Sequence, residues 1–383
     1  MNRTICFKLN HVPQIPARLR KDREINQPAD EVEINLGQLF LQYYFDSFPA
    51  GPPNPDPTRF GYLELIGASD DFRFHAFVAE ASTVKKRSIS AEIGQAFCRL
   101  MLHDHFGVVY FAHMKNVLNK STHAAFDGLR IERTAKGDVP DYLCAKNSIR
   151  PFIAEAKGRF ESVAFASAEF AKWRKQFDRI QVLDRGGVAR RVKGYVVGTR
   201  FATDANAPST RTCCFVEDPE TRGESALGEG NSGSLGRAIV AIHYSRIFSK
   251  LGLSAIASAL SAGYHLTRQL TFQVPVWTCM SEPFQGRKFI GGFYRTTEGA
   301  CPTLTEKGWV QPFELGQGHL AFVGLELDIA KRVAAAARES WELLDRVEQI
   351  TPEGLWSSEF SWLLDGTVAA PAVQFLPTGF ESF

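Results

Sequence analysis

Residues 139–159 impose the strongest local constraint on how this chain folds. Two short apolar runs, Tyr142–Ala145 and Phe152–Ala156, are separated by Asn147-Ser148, a pair that suits a tight turn between strands. The pattern predicts two antiparallel strands that are neighbours in one sheet. A hairpin of this kind fixes which side chains face each other, so the residues along it can be counted outward from the turn.

The count along the predicted hairpin brings two acidic side chains together. If the loop has two residues, Lys146 faces Ile149, and Asp141 then lies opposite Ala154 and beside Glu155. Facing residues of antiparallel strands have Cα atoms about 4.5–5.5 Å apart. The sequence therefore predicts that the carboxylates of Asp141 and Glu155 converge on one point.

A lysine completes this group. Glu155 and Lys157 are two residues apart on a strand, so they share a face of the sheet, with about 6.5–7 Å between them. Two carboxylates this close repel each other unless a cation lies between them, and a hard divalent ion such as Mg²⁺ takes oxygen ligands. Such an ion polarises a phosphate oxygen and lowers the pKa of a bound water, which Lys157 would orient. The hairpin thus predicts the groups needed for phosphodiester hydrolysis.

The same residues match a known signature. Pro140-Asp141, followed after thirteen residues by Glu155-Ala156-Lys157, resembles the motif of the PD-(D/E)XK, or restriction-endonuclease-like, nuclease superfamily. The resemblance implies that Asp141, Glu155 and the backbone carbonyl of Ala156 bind Mg²⁺, with Mn²⁺ as a substitute. It also implies that Lys157 is the catalytic lysine.

Further site residues follow from the resemblance and from local charge. Family members often add a glutamate from the helix before the core strands, which implies Glu92 as a fourth metal ligand and catalytic residue. An acidic residue near a helix N-terminus is the alternative reading of Glu92. Basic residues outnumber acidic ones across 150–200, which favours contact with a phosphate backbone. The predicted nucleic-acid-binding residues are Arg159, Lys172, Lys175 and Arg179, and the resemblance implies Gln176, since some family members carry a glutamine on the helix after the lysine strand.

Apolar periodicity predicts the elements around the hairpin. A helix is expected from Ser88 to about His105, with Ser90 as its N-cap. The other expected elements are strands at 72–78, 108–112, 129–133 and 193–203 and a helix at 162–183. This order predicts an α/β arrangement of layers rather than a regular βαβ repeat. The resemblance implies a restriction-endonuclease-like core, a central mixed sheet flanked by helices.

Composition along the chain predicts four regions. They are an N-terminal extension with a Pro-rich loop (1–60), the nuclease domain (61–204), a linker or exposed loop (205–233) and a C-terminal α+β region (234–383). In the last region we expect helices over 234–267 and 326–350 and strands at 270–279 and 287–296. That region would supply a surface for a homo-oligomer or a partner protein.

Composition also narrows the class of protein. The N-terminus lacks a long apolar segment, and charged residues interrupt the most apolar stretch, 237–266. We therefore predict a cytoplasmic protein with neither a signal peptide nor a membrane contact. Seven cysteines without a CxxC pair indicate reduced thiols rather than a disulfide framework or a zinc ribbon.

The expected function is that of a Mg²⁺-dependent endonuclease acting on DNA, and the resemblance implies a role in bacterial restriction or anti-phage defence. The alternative is a catalytically silent restriction-endonuclease-like module that binds nucleic acid or a partner protein in a larger assembly. The intact set of Asp141, Glu155 and Lys157 favours the enzyme.

Overall fold

The computed structural model describes residues 2–22, 24–47, 65–118, 130–183, 186–190, 192–219, 229–267, 269–294, 321–350 and 360–383. The predicted Pro-rich loop at 48–57 lies outside these residues. Within the described ranges, no helix combines the length and the apolar composition needed to cross a bilayer.

The chain divides into two compact units. The first comprises Met1–Tyr43, Gly61–Thr122 and Phe126–Ile239, and the second comprises Tyr44–Phe60, His123–Ala125 and Val240–Phe383.

The first unit is built on two sheets. Its strands, in chain order, are β1 (Asn2–Asn10), β2 (Glu31–Asn35), β3 (Tyr110–His113), β4 (Arg130–Arg133), β5 (Tyr142–Ala145), β6 (Pro151–Arg159), β7 (Ile180–Leu183), β8 (Ala189–Arg190), β9 (Lys193–Arg200) and β10 (Cys213–Glu217). Seven of them form a sheet in the order β2-β1-β10-β9-β6-β5-β3, and β4, β7 and β8 form a small second sheet. In the large sheet, β1 runs parallel to β10 and β6 parallel to β9, while the other pairs are antiparallel.

Helices accompany the large sheet. They are α1 (Leu36–Ser47), α2 (Ala76–Glu80), α3 (Thr83–Phe106), α4 (Met114–Val117), α5 (Ala168–Arg174) and α6 (Glu229–Lys250), and the division into units falls inside α1 and α6. The predicted central mixed sheet flanked by helices is confirmed at this level of description. Strands β1 and β10 lie outside the predicted 61–204 domain and belong to the same sheet as β5 and β6.

Helix α3 begins earlier than its apolar pattern predicts. The prediction of Ser90 as N-cap is wrong: Ser82 caps the helix by accepting a hydrogen bond from the Lys85 backbone N–H. The first turns of α3 are exposed and, apart from Val84, polar, so the buried apolar face begins only at Ile89. At the other end, Gly107 adopts a left-handed conformation (φ 66°) and ends the helix, as glycine does at this position.

Two glycines let α3 lie directly on β6. A Cβ on Gly94 would stand 2.6 Å from the Gly158 backbone nitrogen, and one on Gly158 would stand 1.8 Å from the carbonyl oxygen of Ser90. Any side chain at either position would push the helix off the strand. Because neither residue has a Cβ, α3 can lie directly beside Lys157, the residue just before Gly158.

Two sequence predictions are wrong in this unit. Residues 72–78 form no strand: Phe74 makes isolated bridges to Ile66 and Thr203, and α2 begins at Ala76. The expected helix at 162–183 is only the short α5, followed by a 3₁₀ turn and strand β7. The Ile-Gln-Val-Leu sequence of β7 pairs with β4 over its whole length, and this long-range pairing outweighs the helical spacing of its apolar residues.

The second unit is an antiparallel sheet with helices. Its strands are β11 (Gln273–Cys279), β12 (Lys288–Tyr294), β13 (Ala321–Glu326), β14 (Ser361–Trp362), β15 (Thr367–Pro371) and β16 (Phe375–Ser382), in the order β14-β15-β13-β12-β11-β16. Helices α7 (Ser254–Ala262) and α8 (Leu327–Ala336) lie in the same unit. The predicted helix at 326–350 is shorter than expected, because α8 ends at Ala336 and a 3₁₀ helix, Trp341–Arg346, follows.

Candidate active site

The β5–β6 hairpin sets the geometry of the candidate site, with a loop longer than the sequence suggests. The register pairs Tyr142 with Ala154 and Ala145 with Pro151, which leaves five residues, 146–150, in the loop. The predicted two-residue turn is therefore wrong, and the register moves by one residue. Continued by one position, the observed register sets Asp141 level with Glu155 rather than with Ala154.

The loop is longer because the side chain of Asn147, which lies within it, stabilises a wider turn. The Asn147 carboxamide oxygen accepts a hydrogen bond from the Ile149 backbone N–H at 3.1 Å. Asparagine commonly stabilises turns in this way. The Lys146 N–H then donates to the Arg150 carbonyl at 3.2 Å, which closes the loop one residue further out than a two-residue turn would.

Asp141 is held at the start of β5 by contacts on both of its carboxylate oxygens. The Ala156 backbone N–H donates to Oδ2 at 3.0 Å, so the carboxylate lies against β6. The Gln95 carboxamide, from helix α3, donates to Oδ1 at 3.5 Å. These contacts orient Asp141 towards the strand that carries Glu155.

Glu155 is an unusual residue for the middle of a sheet. Its side chain is 0% exposed, because β6 lies between β5 and β9. The Lys157 ammonium contacts its Oε1 as an ion pair, and within the described part of the chain no other hydrogen-bond donor reaches either carboxylate oxygen. A buried carboxylate with a single cation beside it and no other donor is costly, and a further positive charge would stabilise it.

Lys157 lies beside both carboxylates. Its Nζ is 3.7 Å from Asp141 Oδ2 and forms the ion pair with Glu155, and its side chain is 31% exposed. The structure therefore brings Asp141, Glu155 and Lys157 together on one face of the hairpin. Lys157 and Asp141, whose side chains are 31% and 23% exposed, are the members of this group that solvent reaches, and through them the site is open to a substrate.

The electrostatics of the three groups are coupled. Burial raises the pKa of Glu155 well above its ordinary value, and the nearby Asp141 carboxylate raises it further. Burial opposes the charge on Lys157, but the Glu155 and Asp141 carboxylates outweigh it and raise the pKa of this lysine. Lys157 is therefore a cation at neutral pH, and its one charge faces two acidic groups.

Glu92, the predicted fourth ligand, makes its hydrogen bonds elsewhere. It accepts from Ser88 Oγ at 2.8 Å and from the Tyr43 hydroxyl at 3.4 Å. Glu92 lies two residues before Gly94, so its side chain is rotated about 200° around the α3 axis from the side that touches β6. The helix side chain that reaches the carboxylates is Gln95, which sequence reasoning missed. Its neighbour Gly94, the one glycine in α3, was the available signal of close approach.

The predicted nucleic-acid-binding residues fall into two groups. Lys172 and Lys175 have exposed side chains on or next to α5. The other side chains are engaged within the protein: Arg159 pairs with Glu161, Arg179 donates to the Asp138 carbonyl, and Gln176 is 3% exposed. Arg174, on α5, is turned inward to Glu217 and the Phe165 carbonyl. On and next to α5, the exposed positive charges are therefore those of Lys172 and Lys175.

The carboxylates at the site are two in number. Over the ranges that the structure covers, no three or more His, Cys, Asp and Glu side chains gather as a metal-binding group. Asp141 and Glu155 would thus be the side-chain ligands of an ion. This donor set fits Mg²⁺, which usually takes one or two carboxylates and keeps several waters.

Comparison with protein-family models, with curated proteins and with solved structures gave no match to this chain. The resemblance to the PD-(D/E)XK nucleases is carried by residues 140–157 of this sequence. The structure adds that those residues lie in a mixed sheet flanked by helices.

Proposed function

We propose that this chain is a metal-dependent nuclease that hydrolyses phosphodiester bonds, with DNA as its substrate and Mg²⁺ or Mn²⁺ as its cofactor. The observation that carries the proposal is the carboxylate of Glu155. It is buried, it has no hydrogen-bond donor among the described residues other than the Lys157 ammonium, and it shares that one lysine with Asp141. A restriction-endonuclease-like core is part of the same proposal.

Asp141 and Glu155 would hold the ion. Their separation along the hairpin is that of level residues on adjacent strands, and the Ala156 N–H fixes the Asp141 carboxylate against β6. The Ala156 carbonyl remains the proposed backbone ligand. A bound divalent ion supplies Lewis-acid polarisation of a phosphate oxygen and a water of lowered pKa.

Lys157 performs the remaining chemistry. Its ammonium is held within ion-pair distance of both acids, so it is positioned before a substrate arrives. Facing solvent at the edge of the site, it would hydrogen bond to a phosphate oxygen and orient the attacking water. Its positive charge stabilises the additional negative charge that develops on the phosphate during attack.

The exposed lysines support a nucleic-acid substrate. Lys172 and Lys175 present their ammonium groups to solvent, where neutralisation of backbone phosphates releases counterions. We expect DNA binding that weakens steeply with salt concentration. The double variant Lys172→Ala/Lys175→Ala would reduce that salt dependence.

Cleavage assays test the proposal directly. Supercoiled plasmid and linear DNA are incubated with Mg²⁺, with Mn²⁺ or with EDTA. We expect metal-dependent nicking or cutting by the wild type and a loss of roughly 100-fold or more in Asp141→Asn, Glu155→Gln and Lys157→Met. The matched control is Glu33→Gln, which changes an exposed glutamate on strand β2 and should keep full activity.

Metal binding is measured separately from cleavage. Mg²⁺ at ten times its dissociation constant stabilises the folded state by about 1.4 kcal/mol, so the melting temperature of the wild type should rise and that of Glu155→Gln should not. If the protein binds the metal and binds DNA but does not cut it under any condition, the chain is a catalytically silent restriction-endonuclease-like module. If Asp141→Asn and Lys157→Met cut as well as the wild type, the site is not the one proposed.

A further inference from the structure

Strands β1 and β10 bring two thiols into contact in the large sheet, and strand β9 separates them from β6. Their parallel register pairs Cys6 with Cys213, and the two Sγ atoms are 2.7 Å apart, with the Cys213 thiol donating to the Cys6 sulfur. This separation is shorter than ordinary contact between sulfur atoms. The backbone positions needed for a bond between these residues are already set by the pairing of the strands.

A pocket gives access to this pair. It has a volume of about 400 Å³, and both cysteines line it together with Lys8, Arg200 and Arg211. Cys6 is partly exposed, whereas Cys213 is buried. A molecule as small as a peroxide would therefore meet the Cys6 sulfur first, with Cys213 directly behind it.

The surroundings of Cys6 favour its thiolate. The hydrogen bond from Cys213 lowers the pKa of Cys6 to about 7, and the positive charges of Lys8 and Arg211 contribute, against burial and the Glu31 carboxylate. A thiolate is the reactive form of cysteine. At four other thiols burial is the largest influence, and it raises the pKa of each: Cys98, Cys144, Cys214 and Cys279.

We propose that Cys6 and Cys213 are an oxidisable thiol pair, with hydrogen peroxide as the oxidant and an intrachain disulfide as the product. The Cys6 thiolate attacks one peroxide oxygen, the O–O bond breaks, and Cys6 becomes a sulfenic acid as hydroxide leaves. Cys213 then loses its proton and attacks the Cys6 sulfur, so that the S–S bond forms and the S–O bond breaks. Two thiols and one peroxide thus give one disulfide and two waters.

The bond would tie the N-terminal strand to the sheet. Cys6 and Cys213 both lie in the first unit and are 207 positions apart in the chain, so the disulfide closes a long loop. A crosslink across a long loop restricts the unfolded chain strongly and so stabilises the fold. This inference is independent of the proposed nuclease activity, because neither cysteine belongs to the candidate active site.

Peptide mapping tests the pair in the full-length wild type. Reduced protein is treated with one equivalent of hydrogen peroxide, remaining thiols are alkylated under denaturing conditions, and the digest is analysed by mass spectrometry without reductant. We expect a Cys6–Cys213 linked peptide, loss of two hydrogen atoms from the intact mass, and full alkylation of Cys279. The melting temperature of the first unit should rise by about 5–10 °C on oxidation.

Variants separate the pair from general oxidation. In Cys6→Ser, peroxide should leave Cys213 fully alkylated and the melting temperature unchanged, while Cys279→Ser should behave as the wild type does. The proposal is overturned if both Cys6 and Cys213 of the wild type are still alkylated after treatment. It is also overturned if Cys6 stops as a sulfinic acid or links to a different cysteine. The wild-type map decides the matter even if Cys6→Ser does not fold.

Discussion

Gln95 illustrates how much the site depends on single side chains. Its carboxamide is the group on α3 that reaches Asp141, and it does so on the carboxylate oxygen that the Ala156 N–H leaves free. A neutral donor at this position orients the carboxylate without adding negative charge to the pair with Glu155. We therefore regard Gln95 as a positioning residue for the proposed metal site.

Replacement of Gln95 distinguishes it from Glu92. We expect Gln95→Ala to lower metal-dependent cleavage by about 10-fold or more, since residues that orient metal ligands have effects of this size. Its effect should appear as weaker Mg²⁺ affinity and be relieved in part at high Mg²⁺ concentration. Glu92→Gln should retain most of the activity, because its hydrogen bonds to Ser88 and Tyr43 lie away from β6.

The opposite ranking of the two variants would restore the sequence-based assignment of Glu92 as a ligand. Sequence alone could identify Asp141, Glu155 and Lys157, because a hairpin count relates them locally. It could not identify Gln95, which lies 46 positions from Asp141 and meets it only through the packing of α3 on β6.

The crossing of α3 and β6 governs the site at the level of elements. Gly94 and Gly158 face each other there, and the space for a Cβ on Gly158 is already occupied by the Ser90 carbonyl oxygen. The helix delivers Gln95 at this crossing, and the strand delivers Lys157. The separation of α3 and β6 therefore determines whether Gln95 and Lys157 both reach Asp141.

Gly158→Ala tests this crossing. The added methyl group would have to displace the helix, so we expect a loss of about 1–3 kcal/mol in the free energy of unfolding and a fall in cleavage activity. Gly107→Ala is the control: its Cβ would meet nothing within 4 Å, and the left-handed backbone costs an alanine about 1–2 kcal/mol. Urea denaturation measures both, and equal losses with full activity in Gly158→Ala would contradict the role of the crossing.

Elements with a local signature were predictable, and those that depend on distant partners were not. The α3 helix and strands β3, β5, β6 and β9 were expected close to where they lie, because each has a clear apolar pattern. Strand β7 was expected as helix, since its apolar spacing suits both structures and only its pairing with β4 decides between them. The register of the hairpin was misjudged by one residue because Asn147 also suits a longer turn.

At the scale of the whole molecule, contacts between distant parts of the chain shape each unit. In the first unit, β1 and β10 are parallel neighbours, although their paired residues are 207 positions apart. In the second, the buried pair of His243 and Asp365 joins helix α6 to the turn before β15 across 122 positions. No local sequence pattern indicates pairings over such distances. The helices and strands could therefore be predicted more readily than their arrangement in the fold.

The stability of the second unit should depend on pH through Asp365. Burial alone would raise the pKa of this carboxyl, but hydrogen bonds from His243 and Thr367 outweigh burial and lower it. A carboxyl with a lowered pKa in the folded state stabilises the fold above its unfolded pKa of about 3.9 and loses that contribution as pH falls through the folded value. The charge of Asp365 therefore stabilises the unit at neutral pH and ceases to do so in strong acid.

Asp365→Asn removes this charge at every pH. We expect it to lower the free energy of unfolding of the second unit by about 3–5 kcal/mol at pH 7, because it breaks a buried pair. The difference from the wild type should shrink as pH falls below about 3.9, where the unfolded carboxyl takes up a proton, towards the lower pKa of the folded state, where the native carboxyl becomes neutral as well. Urea titrations read by hydrogen exchange in β15 peptides assign the transition to this unit, with the exposed Asp328→Asn as the control. A difference that stays constant across this pH range would mean that Asp365 acts through its hydrogen bonds and not through its charge.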